Sequence, residues 1–322
     1  MHRFTTIVPA LNSHQYQVGA QLSFSTSNHN GLDLVNLRPL MQLSSGRPEV
    51  TIGLIDGPVV TDHRDLISSN IREIPGRLRG TCGRASSAAC VHGTFVAGIL
   101  SGRRGSQAPS IAPDCTLLVR PIFQENATLN GDLPSATPEE LATAIIDCIE
   151  GGANIINLSA SLVSPTAKSA FILEDALDYS AKRNVVVVGA AGNQGTVGAS
   201  PITRHPWVIP VVACDLQGRP SGYSNFGNSI GRRGLTAPGE GITSLAAGDK
   251  SLRFGGTSAA APFVTGTIAL LRSIFQRATT AQLKAAVTRA HLLRRPSIVP
   301  PLLDAWAAYE ILASSTAPNE LP

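Results

Sequence analysis

Short runs of β-branched apolar residues return along this chain with helical patterns between them, and that alternation leaves few folds open. Val50–Ile55, Leu117–Ile122, Ala153–Leu158, Val185–Gly189 and Val208–Val212 are continuous in apolar character, as strands covered on both faces must be. Between them, Pro138–Ile149 follows Thr137, carries Glu139 and Glu140 in its first turn and meets Gly151-Gly152 at its end. Ser169–Lys182 is amphipathic and stops at Asn184, and apolar helical patterns follow over Ser258–Phe275, Thr280–His291 and Leu303–Leu312. Strand and helix in alternation define βαβ units, hence a mostly parallel sheet with helices on both faces, a three-layer α/β fold. The chain has 322 residues, 43% of them hydrophobic, enough for one large core, and shows no internal repeat or low-complexity linker. The predicted division is an N-terminal extension over 1–45, partly disordered or regulatory, one domain over 46–313, and a frayed tail over 314–322.

Three segments carry residue types suited to nucleophilic chemistry. Ile52-Gly-Leu-Ile-Asp56-Gly ends a buried strand in a carboxylate, where α/β sheets place functional groups, although an Asp there also serves as a turn residue. Val91-His92-Gly93-Thr94-Phe95-Val96-Ala97-Gly98-Ile99 opens an apolar helix with a His, a candidate general base or a structural helix-start residue. Gly255-Gly256-Thr257-Ser258-Ala259-Ala260-Ala261-Pro262 puts a Ser at the start of a long apolar helix. That Ser fits an N-cap, and equally a nucleophile beside backbone N–H groups and the positive helix end.

The order Asp, His, Ser is that of subtilisin. IGLIDG, HGTFVAGIL and GGTSAAAPFVTG resemble the three active-site motifs of the subtilisin-like (S8) serine peptidases, and the resemblance covers about residues 49–275. Ser110-Ile-Ala-Pro113, Ile155-Ile-Asn-Leu-Ser159, Val188-Gly-Ala-Ala-Gly-Asn193, Tyr223-Ser-Asn-Phe-Gly227 and Ala237-Pro-Gly239 resemble its intermediate segments. The resemblance implies that Ser258 attacks a peptide carbonyl, that His92 carries the proton, and that Asp56 holds the imidazole. It implies that the Asn193 side-chain amide and the Ser258 backbone N–H bind the oxyanion. Alone, Asn193 reads as a left-handed turn residue between Gly192 and Gly195. The substrate-pairing strand maps to Ser159-Ala160-Ser161, with Ser161 where the family usually has Gly. Gly192 falls in the oxyanion segment, and Ala199 maps to the floor of the first specificity pocket.

Departures from the family sharpen the expectation. Fewer than 50 residues precede the first catalytic strand, too few for a folded pro-domain with its own core. Either the chain folds without an intramolecular chaperone, or residues 1–45 act as a short regulatory extension able to lie over the cleft, a reading motivated by Ile7-Val-Pro9 in a polar surrounding. The stretch matching the family's calcium loop, Ser101–Gln107, is short and carries Arg103 and Arg104, and Asp65 alone makes no site, so no metal and no cofactor is expected. Asp56-Gly-Pro-Val, Arg120-Pro-Ile-Phe123, Ala237-Pro-Gly-Glu240 and the short N-terminus are most similar to the proteases of ribosomal-peptide maturation, such as the cyanobactin-maturation type. The implied partner is a peptide or precursor-protein substrate. Only 35 residues separate Asp56 from His92, little room for the helical insertion of the macrocyclases, so hydrolysis is expected over transamidation. A catalytically silent peptide-binding version of the fold is the other class of reading, and no motif residue is missing to support it.

Charge and cysteine content bound what remains. A formal charge of +4 is too small to indicate nucleic acid, and Gly255-Gly256-Thr-Ser lacks the Lys of a phosphate-binding loop. Arg72, Arg77, Arg79 and Arg84, with Arg103 and Arg104, serve solubility or form a rim for an acidic peptide. The five cysteines show no metal-ligand spacing and are expected mostly as reduced thiols, Cys82 and Cys90 being the one pair close enough in sequence for a disulfide. No apolar signal region opens the sequence and no run is long enough for a membrane span, so the expected location is the cytoplasm.

Overall fold

The five apolar runs become strands of a seven-stranded parallel sheet whose two faces belong to two different cores. The computed structural model describes residues 6–9, 31–126, 134–163, 166–289 and 297–316. In chain order these form β1 (Thr6–Pro9), α1 (Leu37–Leu43), β2 (Thr51–Asp56), β3 (Ile71–Glu73), α2 (Ala88–Ser101), β4 (Thr116–Pro121), α3 (Pro138–Glu150), β5 (Ile155–Leu158), β6 (Ala160–Val163) and α4 (Ala167–Lys182). There follow β7 (Val186–Ala190), α5 (Pro201–Arg204), β8 (Val208–Cys214), α6 (Asn228–Arg233), β9 (Leu235–Pro238), β10 (Ile242–Ala246), β11 (Lys250–Phe254), α7 (Thr257–Ile274), α8 (Thr280–Arg289) and α9 (Ala305–Thr316).

The main sheet runs β3-β4-β2-β5-β7-β8-β9, every neighbouring pair parallel. Side chains alternate between faces with the period of two that strands impose. Ile52, Leu54, Ile155, Val186, Val188, Ile209 and Val211 enter the core under α2 and α7. Ile55, Ile156, Leu158, Val187 and Val208 enter the core under α3 and α4. Burial on both faces is why these strands read as unbroken apolar runs. Two antiparallel pairs stand apart from this sheet, β10 with β11 and β1 with β6.

The helix ends follow from side-chain chemistry. Thr137 caps α3 in a reciprocal box with Glu140, and Thr166 does the same for α4 with Ser169. Asn184, just past α4, takes φ 58°, the left-handed conformation that an Asn tolerates. Ser87 caps α2 by accepting from Cys90 N, so that helix begins a turn earlier than the His motif suggests and His92 is its fifth residue.

Three expectations are corrected. From residue 31 onward the N-terminal region belongs to the domain: Leu32, Val35, Leu37 and Leu40 are buried in the larger core, and Arg104 donates to the carbonyls of Met41, Ser44 (2.7 Å) and Ile111 (3.0 Å), tying the end of α1 down. Arg104, although exposed, thus has its guanidinium engaged in holding α1 to the domain. At the other end α9 continues to Thr316, past the boundary set for a frayed tail; residues 317–322 lie outside the described residues. Finally, the expectation of mostly reduced thiols gives way at Cys82 and Cys90, the one pair left open to a disulfide, which form one with Cα atoms 5.6 Å apart. Glu125 accepts from Gly83 N, Arg84 N and Ser87 Oγ beside it, holding the bridged loop. Cys115, Cys148 and Cys214 are buried free thiols. Among the described residues, no helix is long and apolar enough to cross a membrane.

Candidate active site

Asp56 is the last residue of β2, so its carboxylate emerges at the C-terminal edge of an interior strand of the sheet. His92 reaches it from α2, and the approach depends on two glycines. A Cβ on Gly57 would lie 2.0 Å from the Ala89 carbonyl oxygen, and one on Gly93 would lie 2.4 Å from the carbonyl oxygens of Gly57 and Pro58. Real Cβ atoms do not come so near to backbone, so only glycine lets α2 rest directly on the turn after Asp56. With that contact made, His92 Nδ1 donates to Asp56 Oδ1 at 2.5 Å, and both side chains are fully buried. Gly57 N donates to the same carboxylate oxygen at 2.6 Å. The dyad is therefore fixed from the main chain as well as by its own bond.

Ser258 comes from the opposite wall. It is the second residue of α7, and the cap position is Gly256, at φ 141°. Its hydroxyl is therefore not spent on capping, which removes the N-cap reading. Ser258 Oγ donates to the Ser159 carbonyl oxygen at 3.3 Å. It makes no bond to His92 in this structure, and His92 Nε2 is buried without a hydrogen-bond partner.

Asn193 follows β7. The left-handed positions beside it are taken by Gly192 (φ 100°) and Gly195 (φ 62°), so the turn-residue reading of Asn193 fails as well. Asn193 Oδ1 accepts from Thr257 N and Thr257 Oγ1, both at 3.0 Å, and Gly192 N donates back to Thr257 Oγ1 at 3.1 Å. With the oxygen end of the amide occupied, Asn193 Nδ2 is buried and unpartnered. A buried donor with no acceptor costs about 1–3 kcal/mol. The Asn193 Nδ2 donor, His92 Nε2 and the Ser258 hydroxyl form a set suited to a ligand that brings a carbonyl.

Ser159 precedes β6, and Ala160 and Ser161 open it. Ala160, Ser161 and Leu162 line a cavity of about 370 Å³ together with Ala190, Gln194 and Ala199, and no charged side chain lines it. Ala199 is thus a wall of this cavity, whereas Gly192 acts through its backbone on Thr257. Gln194 Nε2 donates to Ser161 Oγ at 3.2 Å, so the hydroxyl that replaces the usual Gly is held at the cavity rim.

Some site residues escape the motif reading. Thr257 ties the Asn193 loop to the Ser258 helix. Asn157 accepts from Thr265 Oγ1 and donates to Ser159 Oγ, both at 2.8 Å, fixing the end of β5 to α7 inside the core. Asn225 donates to the Ala191 carbonyl at 3.1 Å and to Gln194 Oε1 at 2.7 Å, and its Oδ1 accepts from Gln194 N and Thr196 N. Its only sequence signal is the resemblance of Tyr223–Gly227 to a family loop. The one cluster of His, Cys, Asp and Glu among the described residues tight enough for a metal is Cys82, Cys90 and Glu125, and both its sulfurs are committed to the disulfide.

A parallel sheet that gathers a carboxylate–imidazole pair, a helix-start serine and an asparagine amide at one edge is the subtilisin arrangement. The subtilase (peptidase S8) family pattern matches residues 47–304, and the chain belongs to that family. The thermophilic serine proteinase of Bacillus sp. (strain AK1) is 34% identical over 184 residues, which is 56% of this chain and 42% of that protein. Among solved structures, a mutant of the protease domain of PatA superposes with a TM-score of 0.76 at 28% identity, over 84% of this chain and 97% of that one. The prenylagaramide maturation protease PagA gives 0.72 at 29% identity, over 86% and 98%. The chain spans about half the length of the curated relatives it matches first.

Proposed function

We propose that this chain is a serine endopeptidase that hydrolyses peptide bonds through an acyl-enzyme, with Asp56, His92 and Ser258 as its triad. The observation that carries the reading is the buried Asp56–His92 bond beside Ser258, with His92 Nε2 and Asn193 Nδ2 left without partners. A substrate in the cleft draws Ser258 Oγ from the Ser159 carbonyl to His92 Nε2. Oγ attacks the carbonyl carbon as its proton passes to Nε2, and Asp56 stabilises the imidazolium. The oxyanion takes hydrogen bonds from Asn193 Nδ2 and Ser258 N, a side-chain donor of this kind being worth about 2.7–4 kcal/mol. The C–N bond breaks as His92 returns the proton to the leaving amine. Water then repeats the sequence on the ester and frees Ser258. The neutral cavity beside β6 suits an uncharged side chain on the acyl side of the cut.

The substrate class in this reading is a precursor peptide from which a leader is removed. PatA and PagA, the latter named as a maturation protease, support it, as do the sequence features shared with such proteases. Hydrolysis is favoured over transamidation because the 35 residues between Asp56 and His92 leave little room for a water-excluding insertion. A fluorophosphonate probe labels the native chain and not Ser258→Ala in this reading; equal labelling of both sinks it. Product masses separate the outcomes for a precursor peptide, since cyclisation gives a species lighter by one water than the linear fragment.

A further inference from the structure

We propose that Cys82, Cys90 and Glu125 form a site for a soft divalent cation, zinc above all, once the bridge between the two sulfurs is reduced. Their ligand atoms lie within 4.8 Å of one another, and no other three of His, Cys, Asp and Glu among the described residues are gathered so tightly. Tetrahedral zinc, with bonds of about 2.3 Å to sulfur and about 2.0 Å to oxygen, spaces its ligands about 3.5–3.8 Å apart, inside that span. The Cα atoms of the two cysteines are 5.6 Å apart, which suits a bridge, and a change of side-chain torsion opens the sulfurs to the zinc spacing. Two thiolates and a carboxylate leave the fourth position to water. With sulfur in two of three places, the set selects zinc or cadmium over calcium or magnesium.

The carboxylate is already held for the task. Glu125 Oε1 accepts from Arg84 N at 2.8 Å and from Ser87 Oγ at 3.3 Å, and Oε2 accepts from Gly83 N at 2.9 Å. A carboxylate has about four acceptor sites, so Oε2 keeps one for a cation. Outer contacts of this kind fix the direction of a ligand before the ion arrives. Ser87 Oγ also accepts from Cys90 N at 3.1 Å, so one hydroxyl aligns both Glu125 and the helix turn that carries Cys90. Cys82 and Glu125 are half-buried and Cys90 is fully buried. The ion therefore has a side to enter by and a closed wall behind it.

Opening the bridge takes a dithiol. One of its thiolates attacks Cys82 Sγ, the bond between the two cysteine sulfurs breaks, and Cys90 leaves as a thiolate at the third residue of α2, beside the positive end of that helix. The second thiolate of the dithiol then displaces Cys82, so the dithiol ends as its own disulfide and both cysteines are reduced. Zinc takes the two sulfurs as thiolates, releasing whatever protons they carry. The position of the site gives it a role. Cys82 N donates to the Val59 carbonyl at 3.1 Å and Val59 N to the Gly80 carbonyl at 2.8 Å, which laces this loop to the chain just after Asp56. Cys90 lies two residues before His92 on α2. The bridge thus clasps the loop to the histidine helix, and the cation keeps the clasp closed where the bridge is reduced.

The test takes the full chain, reduced with a phosphine and desalted, and titrates it with cadmium, whose bonds to thiolate give an ultraviolet charge-transfer band. One cadmium per chain is expected, displaced by zinc, with no band from the oxidised chain. Cys82→Ser should weaken cadmium binding by about 100-fold and Glu125→Gln by about tenfold. Cys90→Ser repeats the first loss if Cys82→Ser does not fold. Zinc should raise the melting temperature of the reduced chain and leave that of the oxidised chain unchanged. No band from a reduced chain whose circular dichroism is intact, or an equal band in both serine variants, overturns the inference. A reduced chain that unfolds and is not restored by zinc overturns it as well. None of these readouts depends on peptide cleavage, so the protease reading stands or falls separately.

Discussion

The two halves of this centre are built to different rules. On one side Asp56 and His92 are sealed, bonded at 2.5 Å and braced by Gly57 N, with helix backbone resting on turn backbone. On the other, Ser258 rests on a neighbouring carbonyl and the Asn193 amide is held by its oxygen end with its donor end unmet. The first half has its acid–base bond made in the resting protein, although Asp56 Oδ2 and His92 Nε2 stay buried without partners. The second serves a charge that appears only during reaction, so its donors must wait unpaired in a dry site, where they are strongest. The contrast lies in what is already bonded: Asp56 and His92 are joined to each other, whereas the Asn193 donor has nothing to meet.

Substitutions on each side test that division. Ser258→Ala should lower kcat by about 10⁶-fold with the melting temperature little changed, because the small alcohol carries reactivity and little packing. Asp56→Asn should lower kcat by about 10⁴-fold, since an amide supports the wrong imidazole tautomer. A much smaller loss would mean that the sealed half is scaffold alone. Asn193→Ala should cost about 10²–10³ in kcat with KM nearly unchanged, the mark of a donor used only in the transition state. A rise in KM instead would place Asn193 in ground-state binding. Thr257→Val removes the hydroxyl that joins Asn193 and Gly192, and should lower kcat by about tenfold, corresponding to one lost neutral hydrogen bond of about 1.4 kcal/mol.

The smallest effect concerns the packing around the sheet. Burial pushes the Cys115 thiol up to about 11 and Cys214 up to about 12, and it raises Cys148, which packs against Gly53 of β2, further still. A folded-state value above that of the unfolded chain gives stability that is full below about pH 9 and is lost as pH rises through 11 and 12. Thermal melts from pH 8 to 11 should therefore decline. Thiol reagents should find these three groups unreactive at pH 8 until the chain unfolds.

Much of the central sheet was legible because each strand is sealed on both faces, which writes an unbroken apolar run into the sequence. The three residues of the proposed triad stood out because each sits at a fixed place on an element: the end of β2, the first turns of α2, the start of α7. The edges were not. Strand β3 has three residues and no apolar run, and β9 ends in a proline. Helix α1 has seven residues including Pro39, and it is held by burial of Leu37 and Leu40 and by Arg104, contacts that no local pattern announces. Thr257 looked like one more small residue in a glycine-rich start. Its role depends on Asn193, 64 positions away.

The meeting of Gly57 and Gly93 has a consequence for how such a chain drifts over time. Where main chain touches main chain with nothing between, the spacing of acid and base is set by atomic radii and peptide geometry, quantities that no substitution elsewhere can alter. The surrounding core is then free to exchange Val for Ile or Leu for Met over generations. The Asp56–His92 bond keeps its length through all of it, so long as those two positions keep no side chain.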